Sequence, residues 1–387
     1  MLKKNFLKRV NMMAVTTSSN QGREIDLPHL QTSPIKPPFL AVIGRILGVP
    51  VLTTVLSVFP KHDRKIRILF IYDELRTFVK KDLENLQEHF DVQTLRYTGK
   101  RDIPKLTLGI LTTDLNFSWF ALGYATLAVF FSKIFMKKSV VVAGGWDVVN
   151  MPEIGYGAMR SPKRVRKTKF ALKHADKVLA VSESTNREVF QWVDSCNSIV
   201  VYNAFDYDLY KPHGEKQNMV ITVGGVNKET LIKKGLKTFV ESAKFLPNVR
   251  FVLIGKHIDD SIEYLKSIAS PNVEFTGYVS FEELLKYYQK AKVYVQVSGH
   301  ESFGCSLAEA MLCECVPVVT NRAALPEVVG DTGFYVPYDE PEQTAQAVKE
   351  ALKSDKGPAA RKRIKIMFPR EKRKMELFET VNKLLNE

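Results

Sequence analysis

Glu301 and Glu309 are separated by seven residues in the segment HESFGCSLAEAMLCE, directly after an apolar strand expected over Val293–Val297. That order puts Glu301 in a loop, opens a helix near Gly304–Ser306 and sets Glu309 about one turn inside it. The unpaired N–H groups and positive dipole end of a helix start hold an anion. A carboxylate accepts hydrogen bonds from hydroxyl groups. The combination suits a sugar carried on a nucleoside diphosphate. The diphosphate would lie at Phe303, Gly304 and Ser306, a ribose diol at Glu309 and the sugar hydroxyls at Glu301. Spacing alone also fits a plain helix with two solvated glutamates.

The elements that must position these residues read as alternating short apolar strands and longer helical stretches, which is α/β architecture with parallel sheets. A chain of 387 residues holds two such cores. Strands are expected at Lys65–Tyr72, Val92–Tyr97, Leu106–Leu111, Ser139–Ala143, Lys177–Val181 and Ser198–Tyr202, with a charged helix over Val79–His89. The apolar run Leu115–Met136 reads as a buried crossover helix. Asn203–Pro212 reads as a linker. A second set of strands is expected at Met219–Val223, Arg250–Ile254, Val273–Phe275, Lys292–Val297 and Val316–Thr320, and an amphipathic helix over Phe368–Leu385.

Two further segments complete the motif. VPVVTNRAALPEVVGDTGFYVPYDE continues from Cys315 as a buried strand, an Ala-Leu-Pro-Glu-Val-Val run and a glycine turn. GGVNKETLIKKGLKTFVES (Gly224–Ser242) follows a strand and enters a helix. With the Glu-x7-Glu spacing, these segments resemble retaining glycosyltransferases of family 4, which have the GT-B fold: two Rossmann-like parallel-sheet domains facing a central cleft. The resemblance covers roughly Lys65–Glu387. It implies an extension over 1–64, an acceptor domain over 65–203, a donor domain over 204–367 and a helix over 368–387 that returns to the first domain.

The same resemblance implies that Glu309 binds the ribose, Glu301 the donor sugar and Lys234 the diphosphate. The family's arginine of this loop is missing. Gly225, Val226 and Asn227 occupy its neighbourhood, and Lys228 is the nearest replacement. The family's Gly-Phe-Gly appears here as Ser302-Phe303-Gly304. In the first domain Asp147, in Gly144-Gly145-Trp146-Asp147, matches a family position that lines the sugar site or acceptor face. A helix-cap or turn carboxylate is the alternative reading. Ser182-Glu183-Ser184 resembles a turn that caps the next helix. Asp206-Tyr207-Asp208 has the spacing of a metal-binding Asp-x-Asp, but it lies inside the linker and reads as a turn. No metal or other cofactor is expected.

Composition narrows the partners. The net charge is +14, and residues 1–65 hold ten Lys/Arg against three Asp/Glu. Further basic clusters lie at Lys163–Lys177 and Arg361–Lys374. They read either as solvated helix faces or as attraction to an anionic membrane surface. No recognition-helix or RNA-binding signature is present, so nucleic acid is not expected. Four scattered cysteines argue against a disulfide framework and for a reducing, cytoplasmic setting, with peripheral contact to a membrane as an extension of it. Phe39–Pro60 is apolar over about a membrane span, but Arg45, Pro50 and two glycines interrupt it. An interfacial anchor, a span and a packed or poorly ordered extension, including a start at Met12 or Met13, all fit. The expected function is transfer of a sugar from a nucleotide-sugar donor to a glycan or lipid-linked acceptor. A catalytically degenerate binding protein and a sugar-nucleotide epimerase on the same fold are the rivals.

Overall fold

The computed structural model describes residues 65–386, and the expectations for 1–64 lie outside the described residues. The first sheet contains β1 (Arg67–Tyr72), β2 (Asp91–Arg96), β3 (Leu115–Trp119), β4 (Lys138–Ala143), β5 (Lys177–Ala180) and β6 (Ser198–Val200), in the order β2-β1-β3-β4-β5-β6. The second contains β7 (Gln217–Val223), β8 (Arg250–Ile254), β9 (Val273–Gly277), β10 (Ala291–Gln296), β11 (Val316–Thr320) and β12 (Phe334–Val336), in the order β12-β11-β10-β7-β8-β9. Every pairing within both sheets is parallel.

Parallel strands need crossovers, and the helices of those crossovers cover both faces. Along β1, Ile68 and Phe70 enter one core while Leu69 and Ile71 enter the other. Along β7, Val220 faces one core while Met219 and Ile221 face the opposite one. Strand order reverses between β1 and β3 and again between β7 and β10. Crevices beyond the carboxyl ends of strands at such reversals are where open α/β sheets bind ligands. Both Lys234 and Glu301 follow strands of the second reversal.

Three expected elements are corrected. Leu106–Leu111 is not a strand, because Ile103–Thr112 is a helix with Pro104 in its first turn. The alternating Leu-Thr-Leu mimics a strand, yet Leu106, Gly109 and Ile110 share the buried helical face while Leu108 is 63% exposed. Leu115–Met136 is not one helix: it divides into the fully buried β3 and the helix Gly123–Ile134. Likewise Gly224–Ser242 enters two short helices, Lys228–Lys233 and Leu236–Ser242, instead of one. Among the described residues no helix is long and apolar enough to cross a membrane.

The last helix, Arg370–Asn386, returns to the first domain. Leu377, Val381 and Leu384 join the core that holds Ile68, Phe70 and Trp119. Arg373 forms a two-pronged ion pair with Asp82, with Nε and Nη2 donating at 2.6 and 2.7 Å. The linker residue Phe205 pairs its backbone with Phe368 and Arg370, so both chain crossings between the domains are tied together.

Candidate active site

Glu301 and Lys234 meet where the loops after β10 and β7 converge. The ammonium lies 3.4 Å from Oε1 of Glu301, whose side chain is 12% exposed. Ser298 donates to the same oxygen at 3.2 Å. Burial pushes the Glu301 carboxyl up, but Lys234 and then Lys233 outweigh it and hold the group at about 2. The Glu301 carboxylate is therefore charged at neutral pH.

Gly304 precedes the helix Cys305–Leu312 with φ 95°, a left-handed conformation that favours glycine, and it supplies no side-chain cap. The first-turn N–H groups thus have no partner within the helix. Ser306 in that turn accepts a hydrogen bond from Tyr294 at 2.8 Å. Glu309 accepts from the Tyr210 hydroxyl at 2.9 Å and the Tyr288 hydroxyl at 3.2 Å. Burial raises its carboxyl, opposed first by the charge of Lys81 and then by these two hydroxyls. Lys81, Asn203, Cys305 and Glu309 line one small pocket between the domains.

The other expected residues separate. Phe303 is 2% exposed and packs its ring on Phe205 and Phe368, so its side chain is used by the core. Gly225 approaches Ile258 closely, and its carbonyl accepts from Thr230 at 2.7 Å. Lys228 is exposed at a helix start capped by Asn227, and its N–H donates to Asp259. Besides Lys234, the charge of Lys233 lowers the Glu301 carboxyl. Asp147 is fully buried. Its oxygens accept the N–H of Ala121 at 2.6 Å and of Gly145 at 2.8 Å, and burial raises it to about 6 despite these bonds. That arrangement holds the Gly144–Asp147 turn. Asp206 likewise accepts from the N–H groups of Asp208 and Leu209, while Asp208 pairs with Lys211, so the Asp-x-Asp serves the linker turn.

Further residues close the cleft, and the Ser182-Glu183-Ser184 turn caps a helix as expected. Glu327 accepts from the N–H groups of Glu183 and Ser184 at 2.8 and 2.7 Å, capping a helix of the opposite domain from outside. Ser182 caps the same helix from within through Thr185. His300 Nε2 lies 2.6 Å from Glu188 Oε1, and Lys233 lies 3.9 Å from the Tyr156 ring centroid. Gly145, with φ 111°, abuts Ser302 so tightly that a Cβ there would sit 1.6 Å from the Ser302 hydroxyl. Lys233 was visible in Lys-Lys-Gly and Glu327 in Ala-Leu-Pro-Glu. Their partners lie some 77 to 144 positions away in the chain, so no local pattern announces them.

Comparison with known proteins fits this geometry. Residues 217–354 match the family Glycosyl transferases group 1. The serotype-specific mannosyltransferase WbdA of Escherichia coli is 24% identical over 188 residues, covering 43% of this chain and 23% of the relative. The O-antigen chain mannosyltransferase RfbU of Salmonella typhimurium is 25% identical over 188 residues, covering 47% of this chain and 52% of the relative. The chain thus spans about a quarter to a half of the length of these curated relatives. Anabaena Alr3699/HepE, solved with UDP and glucose, superimposes with a TM-score of 0.69 over 82% of this chain and 100% of that one, at 17% identity. With motif, matched segment and two-sheet architecture in agreement, the second domain of the chain is similar to the glycosyl transferases group 1, and the described residues have the GT-B fold.

Proposed function

We propose that this chain is a retaining glycosyltransferase that moves a sugar from a nucleoside diphosphate to a glycan or lipid-linked acceptor. The observation that carries the reading is the half-buried Glu301–Lys234 pair beside an uncapped helix start, beyond the carboxyl ends of β7 and β10. Lys234, Lys233 and the first-turn N–H groups would take the diphosphate, and Glu309 the ribose. In transfer, the bond between the anomeric carbon and the diphosphate oxygen breaks and its electron pair goes to the diphosphate. The acceptor oxygen forms the new bond on the same face of the sugar, and its proton passes to the departing diphosphate oxygen. Fixed positive groups aimed at the leaving oxygens stabilise that charge without reorganising.

The two ammonium groups and the helix start meet the diphosphate charge, so no metal is called for. The relatives named for O-antigen chains make a cell-envelope or lipid-linked acceptor the favoured class. A cytoplasmic protein resting peripherally on an anionic membrane surface goes with such an acceptor. The test is incubation with a panel of nucleotide sugars and acceptors in excess chelator, with the product anomer read by NMR. The donor's configuration in a new glycosidic bond is expected. The inverted anomer would overturn retention, and an epimerised donor without a new bond would restore the epimerase rival.

A further inference from the structure

The helix Pro162–His174 carries six Lys/Arg and no acidic residue. Lys163, Arg166, Lys167, Lys169 and Lys173 are exposed, and none of the five is paired with a carboxylate among the described residues. A charge run on a helix is usually just solvated, but this one has an apolar companion. The helix Gly123–Ile134 lies alongside: the Thr126 hydroxyl donates to the Lys167 carbonyl at 2.8 Å, and the Phe130 and Phe170 rings stand 6.5 Å apart. Phe130 is 46% exposed, and Met136, just past the end of that helix, is 77% exposed. On the other flank Met159, Val165 and Trp192 line an open groove together with Arg166 and Lys169.

We propose that the face formed by these two helices docks the protein on an anionic lipid bilayer. Lys and Arg heads reach the lipid phosphates while the exposed ring and thioether enter the boundary between headgroups and acyl chains. Charge complementarity selects this occupant. The chain's own residues 1–64 carry nine Lys/Arg against three Asp/Glu, a net positive charge that does not complement the same cations. A nucleic acid would engage the cations but leave Phe130 and Met136 unused. Placement supports the choice as well. The basic helix follows the loop after β4, which holds Gly145 against Ser302 and Tyr156 beneath Lys233. The docking face therefore begins at the rim of the cleft, where a lipid-linked acceptor would enter. The inference deepens the membrane partner proposed above and does not need the transfer reaction to occur.

The experiment is co-sedimentation of the full chain with phosphatidylcholine vesicles and with phosphatidylcholine–phosphatidylglycerol vesicles. Wild type is compared with Arg166→Glu/Lys169→Glu/Lys173→Glu, with Phe130→Ser, and with Lys349→Glu/Lys362→Glu/Lys372→Glu, which makes the same charge change on exposed residues elsewhere. A basic residue near an anionic surface contributes about fivefold in binding, so losing three lowers it by about a hundredfold, and replacing them with glutamate lowers it by at least that much. That loss is expected in the helix variant, a smaller loss in Phe130→Ser, and near-wild-type binding in the distant variant. Unchanged thermal unfolding of each variant establishes that the fold is intact, and an unchanged shift with nucleoside diphosphates separates this result from the fate of the donor site. Equal losses in the two triple variants, wild-type binding by the helix variant, absence of vesicle binding, or capture of duplex nucleic acid in place of vesicles would each overturn the proposal.

Discussion

Glu301→Ala and Lys234→Ala are each expected to lower sugar transfer by two or more decades while the fold stays in place. The two groups form one charged unit, 3.4 Å apart and largely shielded from water, so either truncation alters what the other can do. On the proposed function, losing Lys234 would take a fixed cation from the diphosphate. Losing Glu301 would take from the sugar an acceptor of hydroxyl hydrogen bonds and from Lys234 its carboxylate partner. Removing one preorganised charge contact at a transition state costs about 3–4 kcal/mol, which matches the stated loss. The residues sit in loops at strand ends and the cores lie beneath, so circular dichroism should be unchanged. Wild-type rates in both variants would remove this pair from the mechanism.

Arg373→Ala is expected to destabilise the protein by about 3–5 kcal/mol, because it strands a buried carboxylate. Arg373 and Asp82 are 4% and 0% exposed, and the guanidinium also donates to the carbonyls of Val201 and Tyr202 at 2.6 and 2.7 Å. One side chain thus joins the last helix, the helix Thr77–Gln87 and the end of the first domain. Replacing both partners with apolar residues of similar size should cost less than either single change, since the burial of an unpaired charge is what dominates. Urea unfolding midpoints of the two single variants and the double variant check this. A shift of less than about 1 kcal/mol in Arg373→Ala would show that water reaches Asp82.

The sequence made much of this legible because parallel strands buried on both faces read as apolar runs. Arg250–Ile254 and Val316–Thr320 match their expected limits residue for residue. The helix opening at Cys305 was equally readable from Gly304 and the strand before it. Leu106–Leu111 failed because period-two and helical patterns share the same leucines over so short a run, and only Pro104 argued for the helix. At the site, Glu301, Lys234 and Glu309 were marked by spacing. Lys228 is the nearest cation along the chain to the missing arginine, and the fold places it exposed at a helix start, while the charge of Lys233 helps to lower the Glu301 carboxyl. Asp147 was chosen by its place after a strand, and its burial under two backbone donors is a property of the folded loop. The cross-cleft partners Glu327, His300 and Lys233 depend on how two domains meet, which no local window contains.

The central claim is that the cleft at β7 and β10 binds a nucleoside diphosphate sugar through Glu309. Its most direct test is the thermal unfolding of the full chain against a panel of nucleoside diphosphates and nucleotide sugars, for wild type and Glu309→Ala. Ligand at a hundredfold excess over Kd adds about 2.7 kcal/mol of apparent stability. The account predicts a rise with one base that disappears in Glu309→Ala. No rise with any nucleotide, or a rise that survives unchanged in Glu309→Ala, would contradict it.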